Sequence, residues 1–314
     1  MRRIRQRKAC AGIEDGARRP LEDRVWQAVY NEATASGLHS HLPCPASMKR
    51  CSFYFVGPLV ALYVAPCPVL FVATLCPHAE SSASPVEAVA AENAEPASGI
   101  KRTKRDVSGW TVLIDRRLLD SEEQTAKTET ALRLLKKQLD EIIEVVPAPA
   151  VAKMKQVTLY FSPPYPSHGQ RAEYHPGAGW LEKNGRDPVM VRCVEFTNIN
   201  RFEEETRRMP NFALHELAHA YHHRFCERGF GNEAIKNAYE RALASGSYNS
   251  VDRQDSKGRL RKDRAYAMTN PQEYFAETTE AFFSKNDFFP FNRQQLEAHD
   301  PAVVVVLDKI WKQN

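Results

Sequence analysis

An α+β domain is predicted by the order and period of the apolar residues in this chain. β-rich stretches stand at 109–119, 156–162 and 189–199, and the second half carries helical apolar spacing over 211–225, 232–246 and 270–286. Strands precede helices instead of alternating with them, which argues for segregated layers rather than an alternating α/β sheet. No internal repeat interrupts this plan.

The N-terminal third carries address rather than fold. Residues 51–77, "CSFYFVGPLVALYVAPCPVLFVATLCP", hold no charge and are long enough to span a bilayer, although Pro58, Pro66 and Pro68 interrupt them. "MKR" at 48–50 immediately precedes the run and has the form of a start followed by a basic n-region. The expectation is an upstream extension over 1–47 that need not be translated, then a signal peptide or membrane anchor over 48–79. A cleaved signal, with small residues at Ala79 or Ala83, and a retained anchor both stand; a buried core helix is the third reading. The first two place the remaining chain outside the cytoplasm, secreted or held at the cell envelope. Residues 80–106 are rich in Ala, Glu, Ser and Pro and read as a disordered linker. The folded domain is expected over 107–314.

Within that domain "GWTVLIDRRLL" is the first strand and 121–145 a long amphipathic helix. "QVTLYFS" and "VMVRCVEFTNI" are the second and third strands, separated by a Gly- and Pro-rich excursion read as loops and a hairpin. "DRQDSKGRLRKDR" at 252–264 reads as a polar loop. The net charge of +4 is mild, and its basicity sits largely before residue 50 and in "KRTKR" at 101–105. That distribution argues against a nucleic-acid face on the domain. Five of the seven cysteines precede residue 77, and no C-x-x-C pair exists, so a cysteine zinc site is not expected.

Chemistry concentrates in "NFALHELAHAYHH", 211–223. Pro210 and Asn211 open a helix, and Gly229 and Gly231 are expected to close it. On that helix His215 and His219 are four apart, so both imidazoles can face one metal, with Glu216 beside them to act on a bound water. The bland alternative is a solvated, histidine-rich helix, and a third ligand decides between them. "NPQEYFAETTEAFF" supplies a later helix with Asn270 as cap, Pro271 in the first turn, and Glu273, Glu277 and Glu280 along one side. Of Glu273 and Glu277, one can bind metal while the other braces a ligating histidine. Alternatively Glu273 is only the glutamate of a capping box. The version of the motif with a histidine as third ligand would need Gly at 222 and His at 225; the chain has His222 and Phe225.

"HELAH", followed about fifty residues later by "YAMTNPQEYFAETTEAFF", resembles the glutamate-zincin peptidases of the Mlc titration factor A and anthrax lethal-factor type. The resemblance is close over 211–284 and extends to the preceding strands in outline. It implies a zincin-like metallopeptidase fold and one zinc ion held by His215, His219 and Glu273. It also implies Glu216 as general base, Tyr266 assisting the transition state, and Glu277 as the acid behind a ligand. The chain departs from the pattern at His222. The activity implied is hydrolysis of a peptide or protein substrate by a zinc-activated water; the competing reading is a zinc-binding, catalytically silent recognition module.

His222 lies on the face of His215 and His219, with three readings open: an alternative ligand, a residue lining or bracing the cleft, or a solvated side chain. His223 is expected in solvent. The stretch 189–199 is the candidate edge on which an extended substrate pairs, though its alternation equally fits an interior strand. Cys193 and Cys226 are expected as two free thiols, a bridge between them being the alternative in an oxidising compartment.

Overall fold

The computed structural model describes residues 99–312 apart from residue 167. The extension 1–47, the uncharged run 51–77 with its signal or anchor reading, and the linker up to residue 98 lie outside the described residues. No helix among the described residues is long and apolar enough to cross a membrane.

The described chain is mixed α+β. A five-stranded sheet carries, in spatial order, β1 (Arg102–Val107), β2 (Trp110–Asp115), β3 (Leu159–Phe161), β5 (Val194–Phe196) and β4 (Ala172–Tyr174). β1 and β2 form a hairpin whose two turn residues, Ser108 and Gly109, both have positive φ, at 54° and 88°. That geometry matches the right-handed twist of the flanking strands. Pairing thus begins at Arg102, inside the stretch that composition marks as linker: "RTKRDV" has almost no apolar residues, but hairpin pairing uses main-chain groups. β2, β3 and β5 run parallel, and β4 closes the sheet antiparallel to β5.

The crossover from β2 to β3 is α1 (Glu122–Val145) and α2 (Ala148–Met154). The long helix expected over 121–145 thus lies between strands, as do Ala148–Met154 and Ala178–Lys183, so strands do not simply precede helices. Ser121 caps α1 by accepting the Gln124 N–H, and Leu132, Leu135, Leu139 and Ile142 are buried against the sheet. Val112, Ile114, Leu159, Phe161, Val194 and Phe196 form the sheet's side of that core. Burying this alternate set on one face is what locks the strand register.

The remaining helices are α3 (Ala178–Lys183), α4 (Phe202–Arg208), α5 (Phe212–Phe225), α6 (Glu233–Ser245), α7 (Pro271–Phe283), α8 (Arg293–His299) and α9 (Pro301–Lys312). α5 is the motif helix. It ends at Phe225, short of the glycines expected to stop it; Gly229–Gly231 instead form a separate 3-10 turn. α1 holds the start of α5, since Gln138 accepts the Ala213 N–H and the Asn211 amide donates to the Gln138 carbonyl. α9 then wedges Trp311 onto Tyr221 of α5 and Phe275 of α7, with ring centroids 4.4 and 5.6 Å away. The two helices that carry the candidate ligands are thereby packed as a pair from the side.

Two further expectations are corrected. Residues 252–264 are not a loop but largely a hairpin, β6 (Val251–Gln254) with β7 (Leu260–Asp263), held by cross-strand ion pairs such as Lys262–Asp252. The stretch 189–199 contributes three strand residues only, because Pro188–Met190 is a 3-10 turn capped by Asp187 and Arg192 has φ of 60°. That strand, β5, is interior, paired on both sides; the edge beside it is β4, within the excursion read as loops and a hairpin.

Candidate metal centre

Asn211 starts α5 by accepting the Leu214 N–H at 3.0 Å, and Asn270 starts α7 by accepting the Glu273 N–H at 2.8 Å. The capping function of this segment is therefore performed by Asn270, and the Glu273 side chain is free for other work. It points at α5. His215 Nε2 and Glu273 Oε2 are 3.2 Å apart, His219 Nε2 and Glu273 Oε2 3.3 Å, and the two Nε2 atoms 3.1 Å. Donors about 2.1 Å from a tetrahedral zinc ion are separated by roughly 3.4 Å, so the triangle fits such an ion with a shift of a few tenths of an ångström. All three residues are buried, His215 at 6%, His219 at 1% and Glu273 at 1% exposure. Burial alone would raise the Glu273 carboxyl; the adjacent His219 and His215 outweigh it and hold the group at about 2, ionised as a ligand must be.

His215 Nδ1 lies 2.6 Å from Glu280 Oε1. A hydrogen bond from Nδ1–H to that carboxylate leaves Nε2 facing the triangle, where it offers a lone pair once the ring is neutral. The brace is thus Glu280. Glu277, assigned that role above, lies 3.9 Å from His215 Nδ1 and instead accepts from Asn286 Nδ2 at 2.9 Å. The signal was available: at about 100° per residue, Glu280 returns to within about 20° of Glu273, while Glu277 is about 40° off.

Glu216 is 8% exposed, and its Oε2 accepts the Tyr174 main-chain N–H of β4 at 2.8 Å. Burial raises its carboxyl above the ordinary value, with the Glu273 and Glu173 charges adding to the rise and the two imidazoles opposing it. Tyr266 heads the 3-10 turn Tyr266–Met268 before α7. It lines, with His215, Glu216, His219 and Glu273, one cavity of about 250 Å³. The sequence candidates His215, Glu216, His219, Tyr266 and Glu273 are therefore brought to one place, and Glu277 borders it.

His222 is not among them. It is fully buried with neither ring nitrogen hydrogen-bonded, packed 5.0 Å from the Phe275 ring and 5.1 Å from Phe230, and burial pushes it down to about 3. Seven residues of helix carry it about 10 Å along the axis from His215, too far to join the triangle. It is an apolar-packed, neutral ring, neither bracing a ligand nor in solvent. His223 is half-buried rather than solvated: its Nδ1 lies 2.8 Å from the Tyr174 hydroxyl, and it stacks on Phe230. Cys193 and Cys226 are both free, their thiols pushed up by burial to about 11 and about 12.

Sequence reasoning also missed a second polar cluster, on the other face of the sheet. Register places Glu173 of β4 directly opposite Glu195 of β5, which by itself is repulsive. Arg186 Nη1 bridges the two, 2.5 Å from Glu173 and 3.0 Å from Glu195. His175 Nε2 at 2.9 Å and the Tyr165 hydroxyl at 2.8 Å complete the shell of Glu195. Arg186 is sandwiched by the Tyr165 and Trp180 rings, 4.7 and 4.8 Å from their centroids. No period announces these residues, because they meet only after the excursion folds back over the sheet.

Comparison with known proteins finds no family model, no curated protein and no solved structure that matches this chain.

Proposed function

We propose that this chain is a zinc-dependent peptidase, built as the resemblance to glutamate-zincins implies, with His215, His219 and Glu273 as ligands. The observation that carries the proposal is the buried triangle of two imidazole nitrogens and one ionised carboxylate, with a second carboxylate, Glu216, at its side. A zinc ion held there would supply Lewis acidity, lowering the pKa of a water toward 7 and polarising a carbonyl. Glu216 keeps Oε1 uncommitted while Tyr174 N–H holds Oε2, so the base is oriented before substrate arrives. It takes the proton from the attacking water and returns it to the leaving amine. The Tyr266 hydroxyl is the donor for the developing oxyanion. Glu280 keeps the His215 ring in place throughout.

The substrate runs along β4. Arg171, Glu173 and His175 direct their main-chain groups to β5, as in Thr197 N–H to the Arg171 carbonyl and His175 N–H to the Cys193 carbonyl. In an antiparallel ladder the main-chain groups of the alternate residues, Ala172 and Tyr174, then face outward; Glu216 takes the Tyr174 N–H, so an extended peptide can pair with both groups of Ala172 and with the Tyr174 carbonyl. Export or anchoring through 51–77 is the setting we infer for this activity.

Hydrolysis of a peptide library, with and without a chelator, tests the proposal. Chelator-sensitive cleavage restored by zinc is the expected result. Stoichiometric zinc with no cleavage of any peptide would favour the silent recognition module instead.

A further inference from the structure

Four arginines border the candidate cleft: Arg171, Arg201, Arg208 and Arg253. Three are paired with carboxylates. Arg201 pairs with Glu204 and Glu205, Arg208 with Glu205 and Asp287, and Arg253 with Asp263 and Asp287. Arg171 differs. Its one acidic neighbour, Glu173, is committed through Oε2 to the buried Arg186, and its Oε1 stands 3.7 Å from Arg171 Nε. Among the described residues the one hydrogen bond of the Arg171 guanidinium is from Nε to the Gly169 carbonyl at 3.5 Å, the outer limit for such a bond. Its side chain is 26% exposed. Among the cleft arginines it alone, among the described residues, has no carboxylate within hydrogen-bond distance.

Its place on the strand says what it meets. Arg171 directly precedes β4 and is held in the ladder through its carbonyl and through its N–H to Thr197 Oγ1. A peptide paired to the outer edge of β4 puts the residue opposite Arg171 on the same face, with Cβ atoms about 5 Å apart. A guanidinium with free donors at that spacing favours a carboxylate and disfavours an ammonium. We propose that Arg171 reads a carboxylate on the substrate strand, making this site selective for acidic peptides. The proposal rests on the peptidase reading and specifies its substrate class; the carboxylate is an internal Glu or Asp side chain or the peptide's own C-terminus.

The test uses amidated peptides that carry a single Glu, Ala or Lys at each position in turn. The measured quantity is the ratio of kcat/KM for Glu over Ala within one protein, which cancels any loss of folded enzyme. At low salt we expect a ratio of about five at one position, the size of a partly exposed ion pair, shrinking as salt is added. Arg171→Gln should bring the ratio to about one, and Arg171→Glu should invert it in favour of Lys. A free C-terminus compared with its amide at the same position assigns the source of the carboxylate. Equal rates for Glu and Ala at every position, or a Glu preference that survives Arg171→Glu, would overturn the proposal. Should no peptide be cleaved, the peptidase reading falls by itself. The same ratios are then taken from equilibrium binding of the peptides to zinc-loaded Glu216→Gln protein, where equal affinities for Glu and Ala peptides overturn the role of Arg171.

Discussion

Two buried clusters in this protein combine glutamate with histidine, and they balance charge in opposite ways. On the outer face of the sheet, Glu173 and Glu195 have Arg186 between them and His175 and Tyr165 around them. Burial would raise Glu195, yet the His175 bond and charge, with Arg186 contributing, hold it down at about 2. The cluster contains its own counterion. Between α5 and α7, by contrast, Glu216, Glu273, Glu277 and Glu280 face two histidines, with no guanidinium bonded to any of these carboxylates among the described residues. Burial pushes Glu280 up to about 7, and burial with the Asp287 and Glu280 charges raises Glu277 well above its ordinary value. Buried carboxyls that outnumber the cations beside them are costly to ionise. A network that holds its own guanidinium counterion reads as structure, and a carboxylate-rich one with converging donors reads as a place for a metal.

That contrast is breakable by substitution, and the largest effect should come from the self-contained cluster. Arg186→Met leaves two opposed glutamates buried without a cation and should cost about 3 to 5 kcal/mol of stability, read from denaturant melts. Zinc stoichiometry of the folded fraction should be unaffected. If zinc is lost while stability holds, the two clusters are not separate in the sense argued here.

Next in size is the acid response. The Glu195 carboxyl is depressed when folded, so its contribution is complete above the unfolded value near 4.5 and is lost as pH falls toward about 2. That contribution is on the order of 3 kcal/mol. Glu195→Gln should flatten the stability profile across that window; an unchanged slope would place the acid sensitivity elsewhere.

Glu216→Gln keeps shape and helix propensity but removes the base. Zinc should stay bound while kcat falls by at least about a hundredfold, or roughly 2.7 kcal/mol. Activity near that of the parent protein would sink the mechanism.

The smallest effect sharpens the choice of brace. Glu280→Ala should weaken zinc binding by about 10- to 100-fold in a competition titration, and Glu277→Ala by less, because Glu280 alone bonds His215 Nδ1. The reverse order would return the bracing role to Glu277.

Much of the candidate centre is legible without coordinates. His215, Glu216 and His219 are related by one helical turn, and that spacing is set by backbone geometry whatever surrounds it. Glu273 was reachable too, through the cap at Asn270 and a run of glutamates in phase on an apolar helix. The choice between Glu277 and Glu280 was not, since it depends on how far α7 is rotated and slid against α5. Trp311 contributes to that placement from a C-terminal helix that the motif pattern never touches.

What the sequence determined by itself is local: the α5 and α7 helices with their asparagine caps, the pairing of two histidines, and the alternation that makes β2 and β3 strands. Each rests on contacts within a few residues. Tertiary structure decided which strand is the edge, because sheet order is a matter of non-local pairing. It gave that place to three residues of the excursion, Ala172–Tyr174, and enclosed β5. It also decided that His222 packs on Phe230 and Phe275, since a residue's helical phase does not reveal what covers its turn. The Tyr174 N–H bond to Glu216 joins the two kinds of information. The candidate base follows from a motif, but the strand that orients it was chosen by the fold.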